Sequence, residues 1–161
     1  ASWMTTSFQS GYSETYTVAA PVLSGAAMVR SLCFGVVVTL LVSTSAVMEV
    51  LGKLGITVDK LQVLIDEVLA LTGPKLANMQ SEGLSIYGVR QEKGSTLFVP
   101  AGWMMFEFVP SDQGITYGVR KSFYPLKFEC GAKDNVGALV QVMKAGGHKT
   151  DKLEAIVEMW K

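Results

Sequence analysis

The spacing of apolar residues changes period along the chain, and each change marks a different kind of element. Between 59 and 69, Leu61, Leu64, Ile65, Val68 and Leu69 recur at helical intervals, while Lys60, Asp66 and Glu67 fall on other sides of the same cylinder. Asp59 with Gln62 three residues later reads as a capping box, and Thr72-Gly73-Pro74 supplies a stop. Residues 75–82 read as a connector or a weak helical turn. Across 83–124 four strands are expected, at 84–91, 96–100, 103–109 and 115–123, with the hairpin-length links Glu92-Lys93-Gly94-Ser95 and Pro110-Ser111-Asp112-Gln113-Gly114 between them. Links that short predict an antiparallel meander. In the third strand Met104, Phe106 and Phe108 share one face, and Trp103, Met105, Glu107 and Val109 the other, so both faces need apolar cover. Helical spacing returns after Pro125. Val136, Leu139, Val140 and Met143 follow Asp134 and end at Gly146-Gly147, and Leu153, Ile156, Val157 and Trp160 follow Asp151 and Glu154.

The first 48 residues follow another pattern. Residues 1–27 are rich in Ser, Thr and Tyr, carry the single charge Glu14 and show no sustained period, which reads as a poorly ordered arm with a short strand at 14–18. Residues 28–48 form an apolar element. Arg30, the block from Leu32 to Val42 and the exit Ser43-Thr44-Ser45-Ala46 are the parts of a secretory signal, and the run is near the lower limit for a bilayer span of roughly 20 residues. The β-branched cluster Val36-Val37-Val38-Thr39 favours a buried core element instead. Periodicity does not separate these readings, so both stay open. The fold expected is a single α+β domain over 28–161: a small antiparallel four-stranded β-meander packed by amphipathic helices before and after it.

Composition narrows the function. Lys plus Arg equals Asp plus Glu at 14 each, so no global field draws in nucleic acid. The charged fraction is 17% against 49% apolar, which leaves little to solvate a small domain and predicts that a partner covers some surface or that a segment meets lipid. Cys33 and Cys130 have no Cys-x-x-Cys neighbour, which points away from a disulfide framework and from zinc. His148, the sole histidine, sits between Gly147 and Lys149 and reads as a surface loop residue, too isolated to collect a metal. No Gly-x-Ser-x-Gly elbow and no glycine-rich phosphate loop occurs. No catalytic residue, metal ligand or cofactor is therefore nominated.

The candidate binding residues come from a repeat. Ile86-Tyr87-Gly88-Val89-Arg90 returns as Thr116-Tyr117-Gly118-Val119-Arg120. In equivalent strands, Arg90 and Arg120 would project beside Tyr87 and Tyr117 as two guanidinium forks for a carboxylate or phosphate; the alternative is that each Arg solvates a strand end. Trp103 and Met105 are expected to form an exposed apolar contact surface. Glu107 is expected on the exposed side of its strand, facing Lys121 across a hairpin, although burial there would raise its pKa and suit it to proton transfer.

The stretch Leu97-Phe98-Val99-Pro100-Ala101-Gly102-Trp103 resembles the late strand pair of cupin-type double-stranded β-helix domains, including the JmjC-like branch, where a Pro-x-Gly turn precedes a metal-binding His. Here Met104, Met105 and Phe106 stand where that His would be, and the upstream His-x-Asp or His-x-Glu pair is absent, so the resemblance implies a barrel-like fold without its iron. The function expected is a non-catalytic binding domain that contacts a protein partner or a second copy of itself through an apolar, aromatic sheet surface. One alternative is a small exported or membrane-anchored protein that uses residues 28–46. Another is a degenerate cupin-like small-molecule binder or enzyme, which requires Glu107, Tyr117 and Arg120 to converge.

Overall fold

The computed structural model describes residues 22–23, 25–69, 73–110, 116–124 and 131–160. The elements run β1 (Val22–Leu23), β2 (Ala27–Phe34), β3 (Val36–Ser43), α1 (Thr44–Lys53), α2 (Leu61–Leu69), α3 (Gly73–Ser81), β4 (Ile86–Glu92), β5 (Thr96–Val99), β6 (Trp103–Phe108), β7 (Tyr117–Phe123), α4 (Ala132–Ala145) and α5 (Asp151–Met159). The class is α+β, with two antiparallel sheets in the orders β1-β6-β3-β4 and β5-β2-β7.

The expected four-stranded meander does not form. β4 and β6 both flank β3, while β5 and β7 both flank β2, so β4 does not pair with β5, β5 with β6, or β6 with β7. Short links permit hairpins without dictating them. Here each link carries the chain across from one sheet to the other, and the pairing partners come from the apolar element at 28–48. That element is two strands and the start of α1, turned at Gly35 with φ 80°. β2 and β3 are the middle strands of their sheets, which accounts for the β-branched run. Removing residues 28–46 would take the central strand out of both sheets. No helix among the described residues is long and apolar enough to cross a membrane. Of the segment read as a loose arm, Val22–Leu23 pairs with Met105 and Met104, whereas the strand expected at 14–18 lies outside the described residues.

Both faces of β6 are covered, as its composition requires. Met104 and Phe106 join Val42, Val47, Val50, Leu51, Leu64 and Val142 in a core between the larger sheet and the helices. Met105, on the opposite face, packs with Leu41, Met28, Leu97 and Val99 between the two sheets. A third cluster sets Ala27 and Ala101 against Ala132, Val136, Val140 and Trp160, tying the smaller sheet to α4 and α5. Helix α4 thus serves two cores at once, through Val142 on one side and Val136 and Val140 on another.

Local helix chemistry departs from expectation in three places. Gln62 donates forward to Asp66 at 2.7 Å. Of the stretch 75–82, read as a connector or a weak helical turn, 75–81 belong to the two-turn helix α3, with Pro74 in its first turn, where a missing N–H has no helical partner to lose. Helix α1 begins where a signal exit was read, because the Ser43 hydroxyl caps it by accepting from the Ala46 N–H at 3.3 Å.

The turn Pro100-Ala101-Gly102 sits between the starts of α1 and α4. Thr44 Oγ1 donates to the Gly102 carbonyl at 2.5 Å, and buried Asn135 Oδ1 accepts from Ser43 Oγ at 2.7 Å and Ser45 N at 2.9 Å. Gly102 has φ +74°, and a Cβ there would stand 2.7 Å from the Asn135 backbone. Only glycine lets the turn come this close.

Candidate functional site

The strongest concentration of chemistry lies between the two sheets. In β2 the alternation places Met28, Arg30 and Leu32 on the buried inner side, so a guanidinium enters the sandwich in phase with two core residues. Arg30 Nε donates to Gln91 Oε1 at 2.8 Å, its Nη2 donates to Thr39 Oγ1 at 2.5 Å and also to Gln91, and its Nη1 pairs with Glu107. Gln91 Nε2 returns a bond to the Arg30 carbonyl at 3.4 Å. Arg120 lies directly opposite Arg30 in the β2–β7 ladder, with Nη1 4.0 Å from Glu107 Oε2. Five strands, β2, β3, β4, β6 and β7, therefore contribute to one polar cluster.

Its electrostatics follow from burial. The Arg30 and Glu107 side chains are 3% and 4% exposed, that of Arg120 20%. Loss of water, and secondarily the nearby positive charge of Arg120, push the Arg30 pKa down to about 10. Burial also lowers that of Arg120. Taking an ion pair out of water is costly unless hydrogen bonds satisfy both ends, which Gln91 and Thr39 do for Arg30.

Glu107 is thus not on an exposed face opposite Lys121; it points inward, because the second sheet covers that side of β6. Nor do the two copies of the repeat share a surface. Arg90 is on the larger sheet, exposed, with Nε 3.3 Å from Glu92 Oε1, whereas Arg120 is on the smaller sheet and faces inward. Met105 is 1% exposed and belongs to the inter-sheet core, so it offers no contact surface. Trp103 is half-buried against that core, with its ring 5.6 Å from the exposed ring of Tyr87. His148 is exposed, Cys33 is exposed, and Cys130 lies outside the described residues.

Among the described residues, a cluster of exposed apolar side chains lies on the outer face of β5-β2-β7. Cross-strand register puts Val29 between Phe98 and Lys121, Ser31 between Thr96 and Val119, and Phe34 opposite Tyr117 beyond a bulge. Phe34 is 57% exposed, Phe98 42%, Val119 40% and Tyr117 36%. These three strands carry the charges Arg30, Arg120 and Lys121, and the first two point inward. At one end Ala27 and Phe123 are covered by α4 and α5.

Arg30, Thr39 and Gln91 escaped the sequence reading. Arg30 looked like the basic flank of a signal, Thr39 like one of a β-branched run, and Gln91 like a strand end. The available signal was phase: Arg30 stands two residues from both Met28 and Leu32, so any strand burying those residues buries the guanidinium too. Among the described residues, no group of three or more His, Cys, Asp and Glu side chains is placed to hold a metal ion. No known protein family matches the chain, and no curated protein matches it in sequence.

Proposed function

We propose that the protein is a non-catalytic interaction domain that pairs with a second copy of itself through the outer face of β5-β2-β7. The observation that carries this reading is the concentration of exposed Phe34, Phe98, Tyr117 and Val119 on a sheet face where Lys121 supplies the charge. Charge-poor, aromatic-rich surfaces are the composition of interface centres. Such a face brings a single charge, Lys121, from each copy, and a two-fold contact needs only a self-complementary patch. Sedimentation velocity over a rising concentration series is expected to show a dimer. Val119→Glu, which places like charges near each other across the contact, is expected to return a folded monomer. A wild-type chain that stays monomeric throughout, or a Val119→Glu chain that still dimerises, overturns the reading.

A second reading is favoured by the chain path. In a double-stranded β-helix consecutive strands alternate between two sheets, and β2 to β3, β4 to β5 and β5 to β6 all do so here. The Pro100-Ala101-Gly102 turn delivers Met105 and Glu107 into the space between the sheets, which supports a metal-free relative of the cupin type. On this reading the ligand lies inside the sandwich, and both surfaces operate in one molecule.

A further inference from the structure

We propose, resting on the self-pairing reading above, that the two copies meet with their β2 strands antiparallel, so that Lys121 of each stands over the aromatic end of the other's sheet. Shape excludes the opposite arrangement. The alternation that puts Val29 and Ser31 on the outer face puts Ala27 there too, and Ala27 and its cross-strand partner Phe123 are packed against α4 and α5. Helices therefore stand over that end of the sheet, while at the far end Phe34 is 57% exposed. Facing sheets pack about 10 Å apart, and a helix with its side chains is itself about 10 Å thick. Parallel β2 strands would set the helices of one copy against those of the other and hold the two faces apart. Turned end for end, each copy's helices fall beyond the open end of its partner, and the faces meet.

Cross-strand register then fixes what touches what. The uncovered face has three rows: Phe98, Val29 and Lys121; Thr96, Ser31 and Val119; Phe34 and Tyr117. An antiparallel two-fold axis runs along the middle row, so Thr96 and Val119 each face their own counterparts, and the first row of one copy lies over the third row of the other. Lys121 is thereby received by the partner's Phe34 and Tyr117, and a cation over aromatic rings gains from their negative faces. The two Lys121 side chains lie at opposite ends of the contact and do not meet.

Cross-linking of the full chain with a short bismaleimide, alongside sedimentation velocity, tests the arrangement. Two proteins are compared: Cys130→Ser, which keeps exposed Cys33 beside Phe34, and Thr96→Cys in a background of Cys33→Ser and Cys130→Ser. Thr96→Cys, on the axis, is expected to give a covalent dimer. Cys33, two residues off the axis and so about 14 Å along the strands from its counterpart, is expected to give none. Val119→Cys, also on the axis, replaces Thr96→Cys if thermal unfolding shows that the latter does not fold. Lys121→Glu is expected to weaken the dimer at least tenfold, and Lys121→Arg, which keeps a cation over the rings, to leave it within about threefold of wild type. A dimer whose Cys33 cross-links, whose axial cysteine does not, or whose folded Lys121→Glu form associates like wild type overturns this arrangement and leaves self-pairing standing. A wild-type chain that stays monomeric overturns both.

Discussion

Glu107 and Arg30 each carry a charge into a space that water leaves, so losing one partner strands the other. Glu107→Leu is expected to destabilise the fold by roughly 3–5 kcal/mol, the usual cost of an orphaned buried charge. Adding Arg30→Met to that variant is expected to restore part of the loss, since a well-packed apolar pair substitutes for a buried ion pair. Urea unfolding of the two single variants and the double variant gives the coupling directly; a double variant weaker than both singles by their full sum would contradict the pairing. Gly102 makes a different demand. Alanine at its φ of +74° costs roughly 1–2 kcal/mol from backbone conformation alone. Gly55, at φ +73° with nothing within 4 Å of an added Cβ, isolates that term. Gly102→Ala is therefore expected to lower stability measurably more than Gly55→Ala, the difference reporting the contact with Asn135.

At the scale of elements, helices α4 and α5 hold the smaller sheet from outside. Helix α5 contributes no fully buried residue of its own; Trp160, just past its end, is the side chain it delivers to the core, aided by half-buried Leu153, Ile156 and Val157. Its start is fastened to α4 by Lys144 Nζ, 2.8 Å from Glu154 Oε2, and the Thr150 hydroxyl, just before α5, bonds the same carboxylate. These bonds lower the Glu154 pKa below its ordinary 4.5. A carboxyl whose pKa falls on folding stabilises the fold at pH above its unfolded value and loses that contribution as pH drops through the folded one. Lys144→Met is expected to raise the Glu154 pKa, read by carboxyl-carbon NMR titration, and to reduce the acid sensitivity of α5. An unchanged titration would mean that the pair does not persist in solution.

At the scale of the molecule, the alternating path between sheets makes nearly every strand depend on partners distant in sequence. β3 pairs with β4 and β6, and β2 with β5 and β7, across the whole helical stretch α1 to α3. The two sheets share the core of Met28, Leu41, Leu97, Val99 and Met105, and Arg30, Glu107 and Gln91 join them through the interior. Unfolding is therefore expected to be a single transition, with amides of β2 and β3 exchanging only through global opening. Protection of β3 that outlasts that of β2 by a wide margin would show that the larger sheet stands alone.

Local patterning in the sequence was enough to determine where most elements lie. The helical periods of α2, α4 and α5, and the cores of β4, β5, β6 and β7, follow from side-chain spacing, because a 3.6-residue or a two-residue repeat is a property of neighbours along the chain. The two apolar faces of β6 were legible for the same reason. What surrounded them was decided by tertiary structure alone. A continuous apolar run such as Leu32 to Val42 is compatible with a strand, a buried helix or a membrane segment, and only packing against β4, β5, β6 and β7 selects two central strands. The inward turn of Glu107, and its meeting with Arg30 from a strand 77 positions earlier in the chain, depended on the second sheet covering β6, which no local spacing encodes.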